Sequence, residues 1–374
     1  MQRHLIDPRP DWVAKAEELG FTYHTHEHGR YWDENAYYTF TSTQIDALEA
    51  AANTLHELSL AAAQVVIDRG WWTRLGIPAQ AVPVILASWE RDDPSVYGRF
   101  DLAYDGIGAP NLLEYNADTP TALIEAAVMQ WYWLQERFPQ ADQFNSIHER
   151  LIEAWRHVAA ERVHFAAVRD LPEDTQTITY LMDTCQQAGF ETASIAMDDI
   201  GWDTAGRRFV DTDDAEINAL FKLYPWEWMW HEEFAPHLAG AKNLFVEPPW
   251  KLLLSSKGLL PVLWELNPGH ENLLPAFESV DASLRGDYVK KPRLSREGAN
   301  VSLFEGGAVV EENSGEYGAE GFIYQALAPI PDFAGNRPVC GVWVVNHEAC
   351  GLGIREDTRR ITGNLSRFVP HVMS

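Results

Sequence analysis

Cysteine is scarce in this chain of 374 residues, limited to Cys185, Cys340 and Cys350. The number is odd and no two stand at C-x-x-C spacing, which excludes a disulfide framework and a thiol-pair redox motif. A reduced, cytoplasmic setting is the expectation. Long apolar runs are also missing. No stretch approaches the ~18 residues of a spanning helix. The N-terminal MQRHLIDPRPDW has no apolar core after its charges, so a signal peptide is not expected. Basic side chains are few: 29 Lys and Arg against 55 Asp and Glu give a net charge of −26. Such a surface repels nucleic acid and anionic membranes and attracts cations, Mg2+ and polyamines among them. Solubility alone is the default reason for it. Repeats, low-complexity stretches and Pro/Gly/Ser linkers are absent, so one continuous unit is expected.

What is present is ordinary for a globular protein, with 46% hydrophobic and 22% charged residues. The fifteen tryptophans point to a well-packed interior. Helical periodicity is strong over 43–68, opening on a Thr-Ser-Thr cap cluster. The apolar run 82–88 reads as a strand, 121–137 and 144–160 as helices. Segments 163–168, 173–187 and 192–196 read as a βαβ unit of a parallel sheet. The C-terminal third has short strands at 288–291, 301–304, 308–310, 322–327, 339–345 and 350–354 with Gly-rich turns, the pattern of an antiparallel sheet. The fold class expected is α+β, with a mixed region over about 1–240 and an antiparallel region over 241–374.

The most informative stretch runs from Gly98 to Thr121. Two alternating segments flank a turn-rich connection, 105–110, and read as a β-hairpin. If Tyr104 pairs with Asn111, Asp101 faces Glu114 and Arg99 faces Asn116. Two carboxylates directly opposed need a cation between them. An oxygen cluster of Asp, Glu and Asn is what Mg2+ prefers, and Arg99 beside it suits a phosphoryl oxygen. Thr119 as N-cap and Pro120 at the first helical position would then open an anion-binding helix terminus. Solvated charges on an exposed hairpin are the plainer reading of the same residues.

The motif Leu113-Glu-Tyr-Asn-Ala-Asp-Thr-Pro-Thr121, with Arg99-Phe-Asp101 before it, resembles the signature of the glutathionylspermidine synthase family, above all its stand-alone synthetase members. The resemblance runs along nearly the whole chain and implies an ATP-grasp synthetase with a pre-ATP-grasp-like region and no amidase part. It implies Mg2+ on Asp101, Glu114 and Asn116, the transferred phosphoryl group on Arg99, and the acid substrate on Thr119 and Thr121. Glu247-Pro-Pro-Trp-Lys251 and Val289-Lys-Lys291-Pro resemble the segments carrying the two lysines that reach ATP. Ser295-Arg-Glu-Gly298-Ala-Asn300 resembles the loop over the phosphates, and Phe322–Leu327, with Gln325 and Leu327, the strand that holds adenine. Gly351-Leu-Gly-Ile-Arg355 resembles the segment of a second catalytic arginine. Pro172-Glu173-Asp174 resembles a Pro-Glu-Glu segment at the acid's amino end, with a shorter side chain at Asp174.

The chemistry so implied is an acid–amine ligation: ATP activates a carboxylate as an acyl phosphate, and an amine displaces phosphate. The partners would be a small-molecule or peptide carboxylate and an amine, glutathione and a polyamine being the family's pair. The basic tail Arg359–Arg367 leaves the polyamine open. A ligase for a peptide or protein carboxylate, or an inactive ATP-binding module, are the competing readings. His24-Thr-His-Glu-His28 has metal-like composition, but a packed or solvated strand is the reading preferred. Trp226-Glu-Trp-Met-Trp230 and Cys185 read as packing residues.

Overall fold

A computed structural model describes residues 1–27 and 29–373. The fold is mixed α/β, and three sheets organise it. The first, of five strands, runs Arg367–Phe368, Glu348–Asp357, Arg337–Val345, Tyr97–Ala103 and Asn111–Asn116, all antiparallel. The second is the parallel sheet Leu244–Val246, Ala219–Leu223, Arg162–Ala167 and Glu191–Ala196, with the helix Pro172–Gln187 as the βα crossover. The third is the antiparallel sheet of the C-terminal third, built around Tyr288–Pro292 and Phe322–Ala326. Strands from both sides of residue 240 share the first two sheets, and His371–Met373 pairs with Ala36–Phe40. The chain therefore interleaves its two halves instead of laying them end to end.

The hairpin strand Tyr97–Ala103 shows why the sequence folds this way. Phe100 and Leu102 point into a core shared with the helix Ser42–Arg69, while Arg99 and Asp101 point to the opposite face. Tyr115 stacks on Phe100 with ring centroids 3.8 Å apart. The long helix has Thr41 in a capping box with Gln44 and ends at Gly70 in the left-handed conformation.

Three segments depart from expectation. Residues 82–90 form a helix, not a strand. A short apolar run does not distinguish the two; Pro83 in the first helical turn and burial of Val84, Ile85 and Ser88 decide it. The helix expected from residue 121 starts only at Leu123, and Thr119 is not its N-cap. The carbonyls of Thr119 and Thr121 accept from Arg296 and Arg99 instead of from helical amides. Asp118 accepts from Lys222 Nζ at 2.6 Å and from the Trp226 amide at 2.8 Å, and Ala122 takes a φ of 65°. Tertiary bonds hold this loop out of the helical path. The helix expected over 144–160 is shorter, Ile147–Trp155. His28 lies outside the described residues, and His24 bonds to Thr25 and packs on the edge of Trp12. Trp226 is fully buried against Trp230, and Cys185 is buried.

Lys251 and Glu247 are 1% and 0% exposed and pair at 3.4 Å beneath the hairpin strand. Glu247 also accepts from Ser95 and from the amides of Val96 and Tyr97, so it anchors the start of that strand. We expect Lys251→Met to strand this carboxylate and cost about 3 kcal/mol, the low end for a broken buried pair because the other donors remain. Urea unfolding of the purified variant checks it; an unchanged midpoint would remove the structural role.

Candidate active site

The hairpin supplies the floor of the site. Its register places Asp101 opposite Glu114 and Arg99 opposite Asn116, the pairing expected. The loop end differs by one residue: Asn111 pairs with Ala103, not Tyr104, because a bulge falls at Leu113. That bulge frees the Leu113 carbonyl, which accepts from Lys291 Nζ at 2.8 Å. Lys291 also donates to Gln325 Oε1 at 2.8 Å, and Gln325 Nε2 donates to the Leu112 carbonyl at 2.9 Å. The third sheet is thereby docked on the hairpin, and a cleft opens between them.

Charge is closely managed on this floor. Arg99 grips Asp101 through Nε at 2.7 Å and Nη2 at 3.0 Å. Asn116 Nδ2 bridges both carboxylates at 3.1 Å. Lys257 Nζ lies 3.0 Å from Glu114 and 2.8 Å from the Ser295 carbonyl. Burial alone would raise the Glu114 pKa, but Lys257 and Lys291 hold it down at about 2. Burial pushes Asp101 up despite Arg99. Burial also lowers Lys291 to about 8 against the pull of Glu114. Gly341 faces Asp101 across the sheet, and a Cβ there would sit 2.9 Å from Arg99 Cδ, so glycine is what lets the arginine lie flat.

Beyond the floor, Val289, Val301, Leu303, Leu327 and Ile361 form an apolar slot, with Gly298 and Gln325 on its wall. At the other end, Arg99, Asp101, Gly341, Gly353 and Arg355 line a smaller recess. Arg355 Nη2 is fixed by the carbonyls of Gly363, Asn364 and Ser366, while its Nε has no partner among the described residues. Thr119 Oγ1 is likewise buried and unpartnered. Glu173 and Asp174 stand at the start of their helix, with Arg355 acting on the first and Arg296 on the second. Asn300 is turned away, its Oδ1 accepting from the Tyr317 amide at 2.8 Å.

The structure thus brings together Arg99, Asp101, Glu114, Asn116, Lys291, Gly298, Gln325, Leu327 and Arg355. It does not bring Lys251, which is spent on Glu247 under the sheet. Lys257 stands in the cleft, and sequence reasoning missed it. Its signal was present: Ser255-Ser-Lys257-Gly258 puts a cation at the N-terminus of the apolar helix Leu259–Leu266, where the dipole disfavours it. Arg296, which holds the Thr119 carbonyl at 2.9 Å, was also missed.

Two outcomes follow from this geometry. Gly341→Ala should displace Arg99 and lower turnover at least tenfold with little change in Tm; turnover at the wild-type rate would show that Arg99 does not need that space. Glu173 is raised to about 8, by burial first, then by Glu125, with Arg355 opposing. The folded chain keeps a proton that the unfolded chain releases near its ordinary 4.5, so stability should fall as pH rises between about 4.5 and 8. Glu173→Gln should be increasingly more stable than wild type across that window. Urea midpoints at pH 5 to 8 test the sign, and parallel curves would refute it.

Comparison with known proteins agrees with this architecture. A solved glutathione synthetase-like effector from Globodera pallida superposes with a TM-score of 0.60 over 99% of this chain and 98% of its own, at 9% identity, which speaks for the fold alone. A Haemophilus influenzae protein named "Putative acid–amine ligase" is 41% identical over 97% of both chains. Trypanothione synthetase from Crithidia fasciculata is 29% identical over 85% of this chain, and the Escherichia coli bifunctional glutathionylspermidine synthetase/amidase 28% over 91%. The chain spans 54% and 60% of the length of those two relatives. The family profile described as "Glutathionylspermidine synthase preATP-grasp" matches residues 3–374, and the chain belongs to the glutathionylspermidine synthase family of amide-forming ligases.

Proposed function

We propose that this chain joins a substrate carboxylate to an amine with ATP as the activating reagent, in the manner of an ATP-grasp synthetase. One observation carries the reading. Four cationic groups, on Arg99, Lys257, Lys291 and Arg355, converge with the carboxylates of Asp101 and Glu114 between an apolar slot and a polar recess. The slot suits a flat base, the cations suit phosphates, and the recess suits the reacting carboxylate.

Two ionisable carboxylates and an amide on facing strand positions are a donor set that fits Mg2+. Turning the Asn116 amide would present its oxygen in place of the nitrogen. Asp101, Glu114 and Asn116 would hold the ion, which neutralises phosphate charge when bound.

The chain's own groups do the rest by positioning and charge. A carboxylate is a poor acyl donor because oxide is its leaving group, and phosphorylation provides a better one. Two anions must approach for that step. Lys257 and Lys291 would hold the phosphates of ATP, and Arg99 and Arg355 would face the phosphoryl group in transit. Arg99 is kept rigid by Asp101 and the Thr121 carbonyl, so little reorganisation accompanies the reaction. Thr119 Oγ1, buried without a partner, would donate to the acid substrate, with Thr121 beside it. Gly298 and Asn300 belong to the segment that would cover the phosphates, and Gln325 and Leu327 to the wall that would hold the base.

The test is ADP release from the purified chain with paired carboxylates and amines, glutathione with spermidine included, and mass spectrometry of the product. A product with the summed mass of acid and amine less water is expected. Asp101→Ala, Glu114→Ala and Lys257→Ala should each lower ADP release a hundredfold or more. A chain that binds ATP yet releases no ADP with any pair is an inactive module, and wild-type release by Asp101→Ala removes the metal assignment.

A further inference from the structure

The parallel sheet carries a second cavity that the ligation scheme above does not use. Its strand order reverses between Arg162–Ala167 and Ala219–Leu223, which lie side by side. After the first of these the chain crosses through the helix Pro172–Gln187 to Glu191–Ala196, packing Leu181 and Cys185 on the face of Phe165 and Phe221. After the second, the short helices Trp226–Met229 and Ala235–Leu238 pack Trp226 and Leu238 on the opposite face, with Leu220 and Phe245. Two connections that part to opposite faces leave a crevice outside the carboxyl ends of the strands, where open sheets of this kind bind ligands. Here that crevice is a cavity of about 660 Å3, inside the range of roughly 300–1,000 Å3 usual for small-molecule sites. Val168, Met197 and Tyr224 line it, each the first residue past the end of its strand. None of its lining residues belongs to the slot or the recess of the ligation cleft.

The lining selects the chemistry of the occupant. Val168, Met197 and Ile200 give an apolar floor. Tyr224, Phe234 and Trp202 add aromatic surface, and the half-buried Trp202 indole lies flat on His237, with ring centroids 4.3 Å apart and planes 9° apart. Three carboxylates, on Asp198, Glu232 and Glu233, stand against one guanidinium, that of Arg169. Arg169 is taken up by Asp198 at 3.1 Å and by Asp199 at 2.7 Å, so little of its charge is left for an anion. The Tyr224 hydroxyl donates to Glu232 and fixes that carboxylate at the wall, while Glu233 beside it is exposed at the rim. Aromatic faces and uncompensated acids attract a cation, and the apolar floor asks for one with an organic body. A bare metal ion does not fit, because no group of three or more His, Cys, Asp or Glu among the described residues is arranged to hold one.

We propose that this cavity at the carboxyl ends of the parallel strands binds an organic ammonium compound, its apolar body against Trp202 and Phe234 and its charged nitrogen at Glu232 and Glu233. The site goes beyond the ligase reading and needs none of its chemistry, so it is open to measurement on the full chain without nucleotide.

The full chain would be titrated calorimetrically with phenethylamine, with its neutral analogue phenethyl alcohol and with the anion 3-phenylpropionate. Phenethylamine should bind, the alcohol about fivefold or more weakly, and the anion more weakly again. Glu232→Gln and Glu233→Gln keep the size of the side chain and should each lower the affinity for phenethylamine about threefold or more, and flatten its dependence on salt. Trp202→Leu should weaken the amine and the alcohol alike; if that variant does not fold, as its Tm would show, the two glutamine variants carry the test. Absence of phenethylamine binding to the wild type, binding of 3-phenylpropionate as tight as that of the amine, or wild-type affinity in both glutamine variants overturns the site.

Discussion

Asp101 and Glu114 face one another across paired strands, and that repulsion is the constraint the rest of the site answers to. At the ~5 Å spacing of opposed side chains, two full charges near a protein surface repel by on the order of 3 kcal/mol. Arg99 takes up Asp101, Lys257 takes up Glu114, and Asn116 ties the two. Each compensating group comes from a different place. Arg99 sits two residues along the same strand, Asn116 on the partner strand, and Lys257 before a helix some 140 residues later in the chain. The cleft is where distant segments must converge to make a costly pairing tolerable.

The converging groups are held by others that never touch the cleft. Asp118 is locked by buried Lys222 and the Trp226 amide, and so keeps the Thr119–Thr121 loop away from helical geometry. Glu247 and Lys251 fix the start of the hairpin strand from below. Among the described residues, the buried polar atoms left unpaired include those of Thr119, Glu125 and Arg355.

The legible part of the fold was what alternation and local chemistry determine. The site end of the hairpin was readable because Phe100 and Leu102 alternate with Arg99 and Asp101, and a one-residue slip would bury the charges. The long helix announced itself by its cap and period, and the βαβ unit by its rhythm. Residues 82–90 were not readable, because nine apolar-rich residues fit either a strand or a helix. The loop 117–122 looked like a helix start, and only the bonds from Arg99, Arg296 and Lys222 show why it is not. Lys251 and Lys257 stand six residues apart in similar settings. Which one reaches the cleft depends on which carboxylate each meets in three dimensions. Glu125 reads as an ordinary helix residue until its lack of a hydrogen-bond partner among the described residues is seen.

The bulge at Leu113 separates the hairpin into two registers, one for the site and one for the loop. It acts as a slip joint. Changes of length between Tyr104 and Pro110 reach the strands on the loop side and stop there, with Asp101 and Glu114 still opposed. The same extra residue turns a backbone carbonyl outward to receive Lys291, so the joint that absorbs variation on one side is also the hinge pin on which the third sheet is mounted. Lineages of this chain are therefore free to remodel the hairpin tip, and with it any surface the tip presents, without disturbing the chemistry a few residues away.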